Sequence, residues 1–317
     1  MANYLVTGGC GFIGSHLAES LLKDGHQVRI LDDFSTGKMD NVPPQCDVIR
    51  GDVADSEMVH LCMRDMDGCF HLAAIASVQQ SNEEWIRTHQ VNLTGTINVF
   101  DAAKEKRIPV VYASSAAVYG DNADIPLKEN SAVSPLVAYG ADKLGSELHA
   151  RVASLVHGVP TTGMRFFNVY GPRQNPASSY SGVISIFVDR IMNNQALTIF
   201  GDGEQTRDFI YVGDVVRFLC ASMKNINCAS SVFNVCTGET VTINQLAKIV
   251  MSITGSQVTV TYQATRKGDI RVSVGDPGYA QQALGVTAKY PLARGLKMFI
   301  DYSEITDFDN IPVAIEI

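Results

Sequence analysis

The chain has 317 residues, of which 46% are hydrophobic and 18% charged, enough to bury a large core in one domain or in two closely joined ones. Its net charge is −8 and its pI about 5.3, with no dense basic run, which argues against nucleic acid or an anionic membrane surface as the main partner. No stretch of 18 apolar residues occurs, and the first strand pattern starts by residue 4, so neither a spanning helix nor a cleaved leader is expected.

In chain order, Tyr4-Leu-Val-Thr7 reads as a short buried strand, followed at once by Gly8-Gly-Cys-Gly11-Phe-Ile-Gly14 and an apolar helical pattern through His16, Leu17, Leu21 and Leu22. Strand, glycine turn and helix come in the order a dinucleotide site needs. Gly8 permits the tight turn, Gly11 lets the pyrophosphate approach backbone, Gly14 lets helix pack on strand, and the helix N-terminus faces the anion. The spacing is Gly-x-x-Gly-x-x-Gly, a departure from Gly-x-Gly-x-x-Gly. The next strand, Gln27-Val-Arg-Ile-Leu31, runs into Asp32 and Asp33. An acidic group there holds ribose hydroxyls and repels a 2′-phosphate, so NAD is expected over NADP.

Strand and helix patterns alternate up to about residue 170, with strands at Asp47-Val-Ile, Cys69-Phe-His-Leu72, Val110-Val-Tyr-Ala113 and Thr161 to Phe167. That alternation predicts an α/β fold with a doubly wound parallel sheet of the Rossmann kind. Residues 1–170 are assigned to this NAD-binding domain. Residues 171–317 form mainly a smaller α/β substrate lobe, with helices around 183–194, 212–224, 243–254 and 291–303 and with the chain free to cross between the two units. Thr306 to Ile317 carry no reading. The seven cysteines (10, 46, 62, 69, 220, 228 and 236) are odd in number and form no Cys-x-x-Cys pair, so reduced thiols in a cytoplasmic protein are expected, with no disulfide framework and no metal site.

Ser114-Ser115 follows the strand ending at Ala113, and Tyr139-Gly-Ala-Asp-Lys143 opens a helical pattern. Residues four apart share a helix face, so the Lys143 ammonium can sit beside the Tyr139 phenol. A neighbouring cation stabilises a phenolate and is expected to lower the tyrosine pKa, producing a general base for an alcohol hydroxyl. A serine at the strand end could hold the same oxygen. Gly-x-Ser-x-Gly is absent and no histidine and acid are spaced for a serine hydrolase, so nucleophilic catalysis is disfavoured.

Together, Thr7-Gly-Gly-x-Gly-Phe-Ile-Gly14, Gly51-Asp52-Val53, His71-Leu-Ala-Ala74, Val91-Asn92, Ala113-Ser-Ser115, Tyr139-x-x-x-Lys143, Arg165-Phe-Phe-Asn168-Val-Tyr-Gly-Pro172 and Thr206-Arg207-Asp-Phe-Ile-Tyr-Val212 resemble the extended short-chain dehydrogenase/reductase family, and within it the nucleotide-sugar 4-epimerases. The resemblance spans about residues 3 to 305. It implies that Gly8, Gly11, Phe12, Ile13, Asp32, Asp33, Asp52, Val53, Leu72, Ala73, Ala74, Asn92 and Phe166 bind NAD, together with Tyr139 and Lys143. It implies that Ser115, Tyr139 and Lys143 are catalytic. Ser77, Ser115, Asn168, Val183, Arg207, Arg266, Asp269 and Ser273 then hold the UDP-sugar. Judged alone, Arg207 could equally pair with Asp208 at the surface, and His16 and Phe166-Phe167 read as packing residues.

The activity so implied is NAD-dependent 4-epimerisation of a UDP-hexose that serves polysaccharide biosynthesis, in a homodimer paired through long helices at about 83–107 and 138–158. Relatives that dehydrate the sugar resemble this chain but carry an Asp-Glu pair after the active-site Ser or Thr, and decarboxylases carry a Glu. Here Ala116 and Ala117 follow Ser115. A UDP-glucuronate 4-epimerase is a further alternative within the family, and a catalytically silent NAD-binding regulator is another, weakened by the intact Ser115, Tyr139 and Lys143. Ser273 stands at a gate position where relatives restricted to UDP-glucose and UDP-galactose carry tyrosine. UDP-GlcNAc and UDP-GalNAc are therefore the expected substrates, with UDP-Glc and UDP-Gal also admitted.

Overall fold

The computed structural model describes residues 1–175, 182–227, 229–265 and 270–308. Its centre is a seven-stranded, all-parallel sheet in the order Ser231–Val235, Thr161–Phe166, Val110–Ser115, Gly68–His71, Asn3–Thr7, Gln27–Asp32, Asp47–Arg50. Helices cover both faces, so the interior strands read as unbroken buried runs, as Gly68–His71 does at every residue. Two apolar clusters fill the two sides. One joins Leu17, Leu21 and Ile30 to Phe218 and Leu219; the other joins Leu5, Val59, Val99, Val110 and Ala150.

Beyond residue 170 the chain builds a second layer and also returns to the first. Helix Val212–Asn225 packs on helix Phe12–Lys23, and Ser231–Val235 adds the seventh strand beside Thr161–Phe166. The chain thus crosses between the two units: Val215, Phe218 and Leu219 of this helix and Phe233 and Val235 of this strand are buried in the core of the large sheet layer. The smaller lobe has its own core of Tyr170, Ile184, Phe187, Leu197, Leu246 and Leu296. Its short strands pair as Val241–Thr242 with Thr206–Arg207 and Val272–Ser273, and as Leu197–Phe200 with Val260–Gln263.

The expected helix at about 83–107 is broken in the structure. Val78–Glu83 and Trp85–His89 lead into one wide turn at Gln90–Thr94 and then Gly95–Ala103. The wide turn points Val91 and Asn92 inward, and such bulges recur at functional sites. The second long helix, Ala138–His157, ends at Gly158 in the left-handed conformation (φ 70°), which only glycine adopts without strain. No helix among the described residues is long and apolar enough to cross a membrane.

Helix 138–157 is fixed to the sheet by a buried ion pair. Glu147 receives Arg165 Nε at 2.8 Å and Nη2 at 2.6 Å, and also accepts the Ser114 hydroxyl. Arg165 in turn donates to the Glu129 carbonyl at 3.1 Å and stacks 4.7 Å from the Tyr119 ring centre. Both ion-pair side chains are under a tenth exposed. Removing one partner strands the other charge without water, so Glu147→Ala is expected to cost about 3–5 kcal/mol in denaturant unfolding. A loss under about 1 kcal/mol would show that the pair does not hold helix to sheet.

Candidate active site

The strand order reverses at Asn3–Thr7, which opens a crevice beyond the carboxyl ends of Asn3–Thr7 and Gly68–His71. The crevice floor is tied by hydrogen bonds. The Thr7 hydroxyl lies 2.7 Å from His71 Nδ1 and accepts the N–H groups of Leu72 and Ala73, each at 3.2 Å, while His71 Nε2 lies 3.0 Å from the Thr96 hydroxyl. Burial pushes His71 down to about 3, helped by the nearby charge of Lys143, so the imidazole is neutral. Asn92 accepts the Ile75 N–H at 2.8 Å and donates to its carbonyl at 3.0 Å, so its side chain fixes the loop behind the crevice.

The glycine turn is built around close approaches. A Cβ at Gly14 would stand 2.2 Å from the Gly8 carbonyl oxygen, and one at Gly8, where φ is 68°, would meet Ala73 backbone at 2.8 Å. A Cβ at Gly11 would meet only the Gly8 carbonyl, at 3.2 Å, and would otherwise fill the cleft. That cleft, about 260 Å³, is lined by Gly8, Gly11, Phe12, Ile13, Asp32, Asp33, Asp52, Val53, Leu72, Ala73, Ala74 and Phe166, and reaches Tyr139 and Lys143. Its shape fits a dinucleotide: an anion-receptive helix start in the middle and carboxylates at one end. Bound there, NAD would lie against these residues and supply a hydride acceptor and donor.

Two details of the adenosine end differ from the expectation. Asp32 is buried, and its two carboxylate oxygens accept the N–H groups of Cys10 and Phe34, both at 2.9 Å, so it shapes the turn as well as bordering the cleft. Asp33 is the more open acid; one oxygen caps Ser35, and the other lies 4.0 Å from Arg87, whose main partner is Asp52 at 2.6 Å. Sequence reasoning missed Arg87, which carries no motif and lines the neighbouring wider cavity, and also Ser35 and Thr36, which line the cleft just beyond the acidic pair and Phe34 and could have been found from that position.

Tyr139 and Lys143 stand one turn apart, with Lys143 Nζ 5.8 Å from the phenol ring centre. Ser115 ends its strand, accepts the Ala117 N–H at 3.1 Å, and has its hydroxyl beside the Tyr139 phenol, so the three expected catalytic residues meet. The expected downward shift of the tyrosine is not found. Burial dominates and raises the Tyr139 pKa above 10, opposed by the Ser115 hydroxyl. Burial also pushes Lys143 down to about 8, and Asp142 opposes it. Both residues are held poorly solvated, because helix 138–157 presses them against the sheet.

The substrate candidates fall into two groups. Asn168, Arg207 and Ser273 converge: Asn168 pairs with Phe209, its amide donates to the Asp208 carbonyl at 3.0 Å, and Arg207 and Ser273 are register partners. Arg207 donates to the carbonyls of Thr206 and Ile270 at 2.9 and 2.7 Å. The alternative surface pair with Asp208 is absent, since the Asp208 carboxylate is buried and receives Thr237 and Gly238. Ser77 caps helix Val78–Glu83 by accepting the Gln80 N–H, and borders a wider cavity, about 820 Å³, that shares Phe12, Asp33 and Ala74 with the first cleft. Val183 begins helix Val183–Met192. Arg266 and Asp269 lie outside the described residues.

With two acidic residues at the ribose position and Arg87 engaged by Asp52, a 2′-phosphate meets net negative charge. The apoprotein is expected to bind NAD at least about tenfold tighter than NADP, or about 1.4 kcal/mol. Titration calorimetry giving equal affinities would refute this.

The comparisons with known proteins agree with the geometry. The model of the NAD dependent epimerase/dehydratase family matches residues 4–236. A putative UDP-glucose 4-epimerase of Methanocaldococcus jannaschii is 35% identical over 94% of this chain and 97% of its own length. Among solved structures, a UDP-glucose 4-epimerase of Thermotoga maritima with UDP-glucose is 35% identical, covers 96% of this chain and 99% of its own, and superposes with a TM-score of 0.92. A UDP-N-acetylglucosamine 4-epimerase of Methanobrevibacter ruminantium, in complex with UDP-N-acetylmuramic acid, gives the same identity, coverages and TM-score. On the strength of the family match and these relatives, the chain belongs to the NAD-dependent epimerase/dehydratase family.

Proposed function

We propose that this protein interconverts UDP-GlcNAc and UDP-GalNAc by inverting C4, with UDP-Glc and UDP-Gal as further substrates. The observation that carries the reading is the meeting of Ser115, Tyr139 and Lys143 at the end of the cleft. Ser115 positions the C4 oxygen, and Tyr139 takes the C4 hydroxyl proton during oxidation and returns it when the opposite face of the ketone is reduced. Lys143 steadies the phenolate. Because burial raises the Tyr139 pKa, a cation beside it is needed for the phenol to ionise at working pH. Asn168, Arg207 and Arg266 hold the UDP diphosphate and uridine while the sugar turns, and arginine suits this through its charged, forked donors.

Elimination or decarboxylation finds no support in the cleft. Ala116 and Ala117 form the turn after Ser115, and the acids that line the cleft, Asp32, Asp33 and Asp52, follow strands three and four places away across the sheet. Of the acids on the catalytic helix, Asp142 is engaged by His89 and Glu147 by Arg165. Proton transfer at C5 therefore lacks a base, whereas epimerisation needs only the tyrosine.

An exposed apolar stripe, Leu148, Val152, Leu155 and Val156, runs along helix 138–157, and Trp85 and Ile86 are also exposed on the neighbouring helix. A stripe at that spacing supports pairing with a second copy as a homodimer. The free cysteines among the described residues accord with a reducing, cytoplasmic setting.

Purified protein given UDP-GlcNAc without added NAD should form UDP-GalNAc, resolved by chromatography. Tyr139→Phe is expected to fold, retain NAD and lose at least about 10²-fold in turnover; near-normal rates would remove Tyr139 from its role. Lys143→Ala should move the acidic limb of the rate profile to higher pH, because the phenol loses its cation.

Ser273→Tyr tests the sugar. A packed-site clash commonly costs about 1–3 kcal/mol, so the variant should lose kcat/KM for UDP-GlcNAc selectively over UDP-Glc, and an unchanged ratio would mean that Ser273 is not the gate. For the dimer, Val152→Glu with Leu155→Glu should halve the mass in sedimentation, and an unaltered dimer would place the contact elsewhere.

A further inference from the structure

Asp142 stands between the two catalytic positions in sequence, yet nothing in the proposed chemistry uses it. It is 4% exposed, directly precedes the 2% exposed Lys143, and one of its oxygens lies 2.8 Å from His89 Nδ1. Its other oxygen is buried with no hydrogen-bond partner, and so is the hydroxyl of Thr88, the residue before His89. A carboxylate with an unmade bond in the interior is unfavourable unless its charge serves a neighbour. The next residue along the helix, Lys143, is a buried cation.

We propose that Asp142, held by His89, is a positioning residue that keeps Lys143 charged in its dry surroundings. The inference rests on Lys143 acting as the cation beside Tyr139. Few other groups compete for that role among the described residues. Tyr139 lies one turn before Lys143, and Glu147 one turn after is bound to Arg165 of the adjoining strand. His71, from strand Gly68–His71, is neutral. From the packed helices come Arg87, paired with Asp52, Glu83, bonded to Gln79, and Asp101, paired with Lys104. Burial pushes Lys143 down to about 8, and Asp142 is the charge that opposes it. His89 is about half exposed, so it links the buried carboxylate to solvent and fixes its position through the 2.8 Å contact.

The test is an NMR titration of the Lys143 side chain in the NAD-loaded full chain, with the resonance identified by its loss in Lys143→Met. In Asp142→Asn the Lys143 midpoint and the alkaline limb of kcat should both move down by about one pH unit, the size expected for one nearby charge at an effective protein dielectric. Turnover on the acidic side of that limb should be retained. A Lys143 midpoint unchanged in Asp142→Asn would overturn the proposal, even if kcat fell at every pH. Should that variant fail to fold, the His89 pair decides. His89→Gln keeps a donor and should titrate as the parent, whereas His89→Leu removes the side chain that holds the buried carboxylate in place and should shift Lys143 in the same downward direction. Parent-like titration in His89→Leu would overturn the proposal. Because the titration reads Lys143 itself, its failure is distinguishable from absence of epimerase activity.

Discussion

The bidentate contact between Glu147 and Arg165 is the interaction on which the site's geometry depends. Glu147 lies on the helix of Tyr139 and Lys143, eight residues beyond the tyrosine, and Arg165 lies on the strand beside the one that ends in Ser115. Ser114 joins the same carboxylate, so three elements converge on one buried group. Such a pair contributes little net stability compared with apolar packing, but it has one good geometry. It sets how far along the sheet the helix sits, and so brings the phenol within hydrogen-bond reach of Ser115.

Once the helix is so placed, the electrostatics of the site follow from burial. Tyr139 and Lys143 both lose water, and loss of water disfavours the charged form of each: the phenol is pushed up and the ammonium down. The two shifts move the groups apart, the phenol above 10 and the ammonium to about 8. The site thus holds a phenol and an ammonium whose ionised forms need each other, with the neutral His71 beneath them and the carboxylates gathered toward the adenosine end. A cofactor crossing the cleft would bring its phosphates to the start of helix Phe12–Lys23, where Gly11 leaves space.

The chain's return from the smaller lobe to the large sheet ties the two halves of the molecule. Asn168–Tyr170 leaves the last residues of one sheet strand and pairs with Phe209–Tyr211, and Val212–Asn225 then packs back against the first helix. The buried Asp208 carboxylate gathers the N–H groups of Thr237 and Gly238 at this junction. Asn168, Arg207 and Ser273, the candidate substrate residues, are therefore fixed relative to the cleft by main-chain pairing.

By itself the sequence determined the parallel sheet, the glycine turn with its acidic strand end, and the Tyr139 and Lys143 face, because each rests on local periodicity or on residues close in the chain. The glycine spacing alone required backbone to approach backbone, and the Gly14 contact with Gly8 is that requirement made visible. Only the tertiary structure decided the rest. That Asp32 turns one oxygen to the Cys10 N–H, that Arg87 closes on Asp52, and that Asn92 points inward to Ile75 where the expected helix at 83–107 breaks all depend on residues far apart in the chain. The direction of the Tyr139 shift was likewise hidden. Sequence shows a cation one turn away, but not the burial that outweighs it, and burial is a property of everything packed around the residue.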